Sequence, residues 1–236
     1  MAILKMKCSP EDRKAIIAVS LMARPSTIHL QSENNDALFQ LVVSLRIIES
    51  TRANTPITIC RAGTILAHDD GVDILAQGAL GAGLVSKSDN ARVISLGLLK
   101  VHKARMENDD APNLMDRNLE FITIPADGTC VEIAHDISQT RLFVRSDIKK
   151  HDIQSGESFQ VQMDSKYVGT MWWCWGDLDG DLEGKRLHAW QKGINLSDAV
   201  RPGDDEIEKQ GWILGEDPAE LEFQDQSGWI DIKFEL

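Results

Sequence analysis

Phe39, Leu41, Val43, Leu45 and Ile47 alternate with residues that include Gln40, Ser44 and Arg46. That period of two places one face of a β-strand in a core and the other towards water. The pattern returns where Phe159, Val161 and Met163 alternate with Gln160, Gln162 and Asp164. Around the first strand, residues 15–23, 28–31, 56–60 and 64–67 are β-rich pieces separated by Pro, Asn, Asp and Ser clusters, which predicts a meander or Greek key. Residues 92–101 are apolar on both faces and predict a buried strand. Helical periodicity is absent from this half. Further on, residues 119–124, a turn at 125–128 and residues 129–136 predict a hairpin. Residues 185–191 predict a short helix, residues 202–203 a loop, and residues 211–214, 220–223 and 229–234 late strands.

One stretch breaks the alternation. Residues 167–184 pack three of the six tryptophans against four carboxylates. Successive strand side chains point to opposite faces, so Trp172, Trp173, Cys174 and Trp175 describe a strand covered on both sides. Trp173 is expected in the core, and at least one of Trp172 and Trp175 is expected to stay partly open and line a pocket. Asp177, Asp179, Asp181 and Glu183 follow among Gly176, Gly180 and Gly184, a turn-forming composition. Three uses of that loop compete. A calcium loop has the right hard ligands but the wrong spacing: counted from Asp177, the sixth residue is Leu182 and the twelfth His188, where a glycine and an acid are required. A carboxylate pair beside an apolar wall would suit acid–base work. A solvated turn that keeps a sheet edge from pairing with a neighbour is the third.

A chain of 236 residues accommodates one large β domain or two ordinary ones. The expected fold is all-β: two tandem antiparallel β-sandwich, immunoglobulin-like domains with minor helix, spanning 1–115 and 116–236. The charge-dense residues 102–118, with Pro112, are the expected linker. Against 25 basic side chains stand 37 acidic ones, a formal charge of −12 with no basic cluster to offset it. Nucleic acid and anionic membranes are therefore poor partners, because phosphates need cationic neutralisation. Residues 15–23 loosely imitate a leader, but Glu11 and Asp12 precede them where positive charge belongs. No apolar run reaches membrane-span length, and a cytoplasmic location is expected; the sequon at Asn195 matters only after secretion.

Cys8, Cys60, Cys130 and Cys174 are widely spaced, with no C-x-x-C pair to suggest zinc or a redox dithiol, so neither metal nor cofactor is expected. They read as small buried residues, although Cys174 has the flanking aromatics of a reactive thiol. Gly78, Gly81 and Gly83 interrupt an apolar run with the spacing G-x-x-G-x-G and no following lysine. This predicts a packed crossover beside a ligand or another backbone rather than a phosphate loop. Among the histidines, His135 continues the face of Val131 and Ile133 with Asp136 and Arg141 close in sequence, and His188 follows the acidic loop. No H-E-x-x-H pair is present.

Phe39-Gln-Leu-Val-Val-Ser-Leu-Arg46, Pro56-Ile-Thr-Ile-Cys60, Ile124-Pro-Ala-Asp-Gly128 and Gly169-Thr-Met-Trp-Trp-Cys-Trp-Gly-Asp-Leu-Asp-Gly-Asp-Leu-Glu-Gly184 resemble an uncharacterised family of cytosolic proteins from filamentous fungi. The resemblance spans most of the chain. It implies a cytosolic protein without a signal peptide, and it carries over no functional residue.

Two functions of different class remain open. The first is a binding module whose loops or aromatic groove hold an apolar small molecule or a protein partner without chemistry. The second is a cofactor-independent isomerase, cyclase or hydrolase for an apolar small molecule. There the tryptophans would shape the pocket and stabilise a cation, and Asp177, Asp179, His188 or His135 would move the proton. In either case Trp172, Trp175, Tyr167 and Arg141 are the candidate ligand-binding residues.

Overall fold

The computed structural model describes residues 8–30, 37–67, 73–97, 111–117, 119–144, 146–191, 194–195 and 203–236. The chain is mostly β. In chain order the strands are β1 (Ala15–Arg24), β2 (Thr27–His29), β3 (Ala37–Ser50), β4 (Ile57–Cys60), β5 (Leu84–Ser86), β6 (Val93–Ile94), β7 (Phe121–Ile124) and β8 (Val131–Ser138). They continue with β9 (Ser158–Val161), β10 (Trp173–Trp175), β11 (Arg186–Gln191), β12 (Ile194–Asn195), β13 (Trp212–Gly215), β14 (Leu221–Asp225) and β15 (Ile230–Glu235). The α-helices are short: α1 (Gln139–Phe143) and α2 (Asp204–Gln210). Among the described residues no helix is long and apolar enough to cross a membrane.

Four sheets result, in the orders β14-β1-β3-β8, β10-β4-β7, β12-β11-β13 and β2-β15-β9-β5-β6. The first realises the alternation seen in the sequence. Ile17, Val19 and Leu21 of β1, Phe39, Leu41, Val43 and Leu45 of β3, Ile133 and Ile137 of β8, and Leu221 and Phe223 of β14 share the main core. Phe159 and Val161 of β9 and Ile232 and Phe234 of β15 bring the fourth sheet into the same core, where Phe159 meets Phe234 edge-on at 5.5 Å.

The second sheet is apolar on both sides. Trp173 and Trp175, opposite Ile59 and Ile57, face the main core together with Ile124. Trp172, Cys174, Cys60 and Phe121 face a second, smaller core that Leu114, Leu182, Leu187 and Ala189 complete. Thr58 is buried on that second face, where its hydroxyl bonds the Gly176 carbonyl at 2.8 Å and the Thr123 hydroxyl at 2.9 Å. A buried polar group kept in this way avoids the desolvation cost of an unmade bond.

The strand pairing overturns several expectations. β1 pairs with β14, β11 with β13 and β15 with β2 in parallel, so the sheets are not purely antiparallel. Three of the four sheets join strands from either side of the expected 115/116 boundary: β1 with β14, β4 with β7 and β10, and β5 with β9. The two halves therefore share sheets and a core instead of forming tandem sandwiches. Of the expected linker, residues 102–110 and 118 lie outside the described residues, and the remainder is packed. Leu114 is fully buried, and the Asn113 side chain accepts from the Leu187 amide at 3.0 Å.

Local misreadings have equally local causes. A turn does form at residues 125–128, with Gly128 at φ +81°, but β7 and β8 then enter different sheets and make no hairpin. Residues 186–191 are strand β11, not a helix, because Leu187, His188 and Ala189 are all buried and the backbone pairs with β13; tertiary pairing overrides weak helical propensity. Residues 64–67 form turns, and α2, closed by Gly211 at φ +64°, has no counterpart in the sequence reading.

Because three sheets are assembled across residue 115, fragments 1–115 and 116–236 expressed separately should each lack a cooperative thermal transition by circular dichroism. A sharp transition in either fragment alone would contradict the shared core.

Candidate functional site

The tryptophan strand is filled core and not an open wall. Trp172 is fully buried and donates its indole N–H to the His188 carbonyl at 3.0 Å, with Phe121 edge-on at 5.7 Å. Gly215 makes room for it, since a Cβ there would sit 2.4 Å from Trp172 Nε1. Trp173 is fully buried and donates to the Asp217 carbonyl at 2.9 Å. Trp175, 8% exposed, packs edge-on against Trp173 at 5.3 Å beneath the Arg52 guanidinium. Among the described residues its own buried N–H has no hydrogen-bond partner. The expectation that Trp172 or Trp175 stays partly open fails because each face of this sheet has its own core to fill.

The acidic loop is occupied with holding itself in shape. The Asp177 carboxylate accepts the Asp179 amide at 3.1 Å, and Asp181 accepts the Asp177 amide at 2.7 Å. The amides of Gly180 and Leu182 both donate to the Asp177 carbonyl. Leu182 anchors the turn in the second core, and Thr123 accepts the Leu178 amide at 3.2 Å. This is the behaviour of a solvated turn. Among the described residues no group of three or more His, Cys, Asp or Glu is arranged to hold a metal. His188 is buried in β11 with its ring edge-on to Trp212 at 4.9 Å.

His135, Arg141 and Tyr167 come together in a different role. His135 is buried on the core side of β8 and donates from Nε2 to the Ile65 carbonyl at 2.7 Å. From α1, Arg141 pairs with Asp73, whose carboxylate also accepts the Ala76 amide. The Tyr167 hydroxyl donates to the Gln77 carbonyl at 2.7 Å. His135 thus holds the turn at Ile65, and Arg141 and Tyr167 hold Asp73 and Gln77 at the start of the glycine-rich crossover. Within it Gly83, at φ +106°, passes so close to Ile94 that a Cβ would lie 2.4 Å from that carbonyl. The crossover thus lies beside another backbone, one of the two settings its glycines predict. Next to it is a pocket of about 230 Å³ lined by Leu75, Leu80, Leu96 and the backbone of residues 81–83.

A second concavity is polar. It is a cleft of about 430 Å³ where the β5–β6 turn meets the turn before β9, lined by Lys87, Ser88, Arg92, Gln154, Ser155, Gly156, Glu157 and Ser158. Glu157 is its keystone, with a side chain only 9% exposed. One carboxylate oxygen accepts from Arg92 Nε at 3.1 Å and from the Ser86 hydroxyl at 3.4 Å; the other accepts from Arg92 Nη2 at 3.3 Å and from the Gln154 amide at 3.1 Å. Arg92 Nη2 also reaches the Asp152 carbonyl at 3.0 Å. Sequence reasoning passed over these residues because Arg92 and Glu157 are 65 positions apart and neither belongs to a motif. The only local signal was the Ser155-Gly156-Glu157 turn leading into β9.

Burial pushes the Cys174 thiol up to about 12, with smaller contributions from the nearby charges of Asp181 and Glu216. It is a packing residue and not a nucleophile. No protein family, curated protein or solved structure matches the chain.

Trp172→Ala and Trp173→Ala should each lose about 3–5 kcal/mol in urea unfolding. Trp175→Phe should lose less than Trp173→Phe, because only the latter discards a formed hydrogen bond; equal losses would show that the Trp175 N–H is satisfied in solution. In a thiol titration of the native protein near pH 8, Cys130, which is exposed, should react quickly, whereas Cys60 and Cys174 should react only on unfolding. An unfolded thiol ionises near ~8.5, so the stability that the neutral Cys174 contributes is complete below that pH and is lost as pH rises towards about 12.

Proposed function

We propose that the chain is a ligand-binding module without chemistry of its own, and that its site is the polar cleft between the β5–β6 turn and residues 154–158. The observation that carries this reading is the arrangement of Arg92 on Glu157, whose side chain is only 9% exposed, at the wall of a cleft of about 430 Å³. Ligand pockets of small molecules fall in this range of volume, and a few convergent polar groups set their specificity. The aromatic stretch gives no comparable support, since its indoles are packed inside. An enzyme using Asp177, Asp179 or His188 also loses support. The Asp177 carboxylate accepts the Asp179 amide within the turn, and the His188 ring is packed against Trp212.

The test is a thermal-shift screen of small polar and apolar molecules on the native chain and on a cleft-filling Ser88→Trp variant. A ligand at about one hundred times its Kd stabilises by about 2.7 kcal/mol, several degrees in Tm for a chain of this size. Polar molecules should stabilise the native chain and lose that effect in Ser88→Trp. If hits are apolar, or stabilise both proteins equally, the site lies elsewhere.

A further inference from the structure

Resting on the cleft as the ligand site, we propose that the group it receives is a small oxyanion, a carboxylate or a phosphate, held by the outer edge of Arg92 with Lys87 beside it. The inference starts from what is already used. Glu157 has two carboxylate oxygens, and each accepts two protein donors. A carboxylate offers about four lone-pair sites, so this one has no capacity left for a donor on a ligand. It acts as a counter-ion that fixes the guanidinium.

The guanidinium is used on one edge only. Its Nε and Nη2 are engaged by Glu157 and by the Asp152 carbonyl. Among the described residues Arg92 Nη1 has no hydrogen-bond partner, and the side chain remains 33% exposed at the cleft wall. A planar fork held in place from behind loses little rotamer freedom when an oxyanion docks, and guanidinium geometry matches carboxylate and phosphate oxygens. The other lining side chains can all donate: Lys87 Nζ, the amide of Gln154, and the hydroxyls of Ser88, Ser155 and Ser158. Lys87 does pair with Asp231 at 2.8 Å, but both side chains are largely solvated, and such exposed pairs contribute little and open readily.

Charge points the same way. Two cations against one saturated carboxylate line the cleft, in a chain whose formal charge is −12. The excess of positive charge in the lining favours anions locally and disfavours cations. Carboxylate and phosphate share this chemistry, and the experiment separates them.

Amide shifts of the full chain would be followed by NMR during separate titrations with malonate, inorganic phosphate and neutral glycerol, at constant ionic strength so that screening does not change. Malonate or phosphate should move the amides of residues 86–92 and 154–158 with a Kd of roughly millimolar order, whereas glycerol should not; whichever anion binds tighter identifies the class. Arg92→Lys keeps the charge but removes the fork and should weaken binding about tenfold. Lys87→Gln leaves the Glu157 pair untouched and should weaken it about threefold. If Arg92→Lys fails to fold, the double variant Arg92→Gln, Glu157→Gln removes both charges together and should abolish anion binding. Unchanged affinity in these variants overturns the proposal. So does silence of both amide groups towards both anions. Where a neutral polar molecule still binds the cleft in the screen, only the oxyanion class fails; where nothing binds there, the cleft itself is refuted as the site.

Discussion

The three-stranded sheet β10-β4-β7 has to be apolar on both faces, and the remaining architecture depends on that requirement. Trp173 and Trp175 point one way and Trp172 and Cys174 the other, which the two-residue period of a strand makes unavoidable. A buried tryptophan removes about 150–250 Å² from water, which at ~25 cal/mol/Å² is about 4–6 kcal/mol as an upper bound. Three of them within four residues require two cores. The first and fourth sheets supply the larger. The smaller is closed by Leu114, Leu182, Leu187 and Ala189 from three separate stretches of chain. The acidic turn follows from this as well: Leu182 must reach back into the second core, so residues 176–181 fold tightly and their carboxylates cap the amides that the turn leaves free.

Much of the local structure was legible in the sequence. The alternation in β3 and β9, the two-sided burial of the tryptophan strand and the crowding of the glycine crossover all stand as written in residue type and spacing. Partnership was not legible. The pattern of Leu221 and Phe223 is the same whether β14 lies parallel to β1 or antiparallel to some nearer strand, and the actual partner begins 206 residues earlier. For that reason the split at 115/116 looked natural although the sheets cross it. His135 and Tyr167, read as candidate site residues, hydrogen-bond the carbonyls of Ile65 and Gln77, and Arg141 pairs with the Asp73 carboxylate. A side chain that hydrogen-bonds a distant carbonyl has the same sequence signature as one that binds a ligand.

The cleft shows the complementary failure. Its key pair joins two turns from different parts of the chain, and nothing in composition distinguishes Arg92 or Glu157 from other surface charges. What marks them is their pairing: a carboxylate with all its acceptor sites filled by protein donors leaves the outer edge of its arginine open on the cleft wall. The tryptophan stretch, the most unusual composition in the chain, contributes stability, while a more ordinary stretch contributes the concavity.

The central claim is that the second sheet divides two cores that open together. Hydrogen exchange of the indole N–H protons tests it most directly. Trp172 donates across the smaller core to the His188 carbonyl, and Trp173 donates to the Asp217 carbonyl beside the larger one. If the sheet ties the cores into one unit, both protons exchange only through global unfolding, with equal protection free energies that fall in parallel as denaturant is added. Exchange of Trp172 at a lower, denaturant-independent free energy while Trp173 stays protected would contradict the account, because the smaller core would then open by itself.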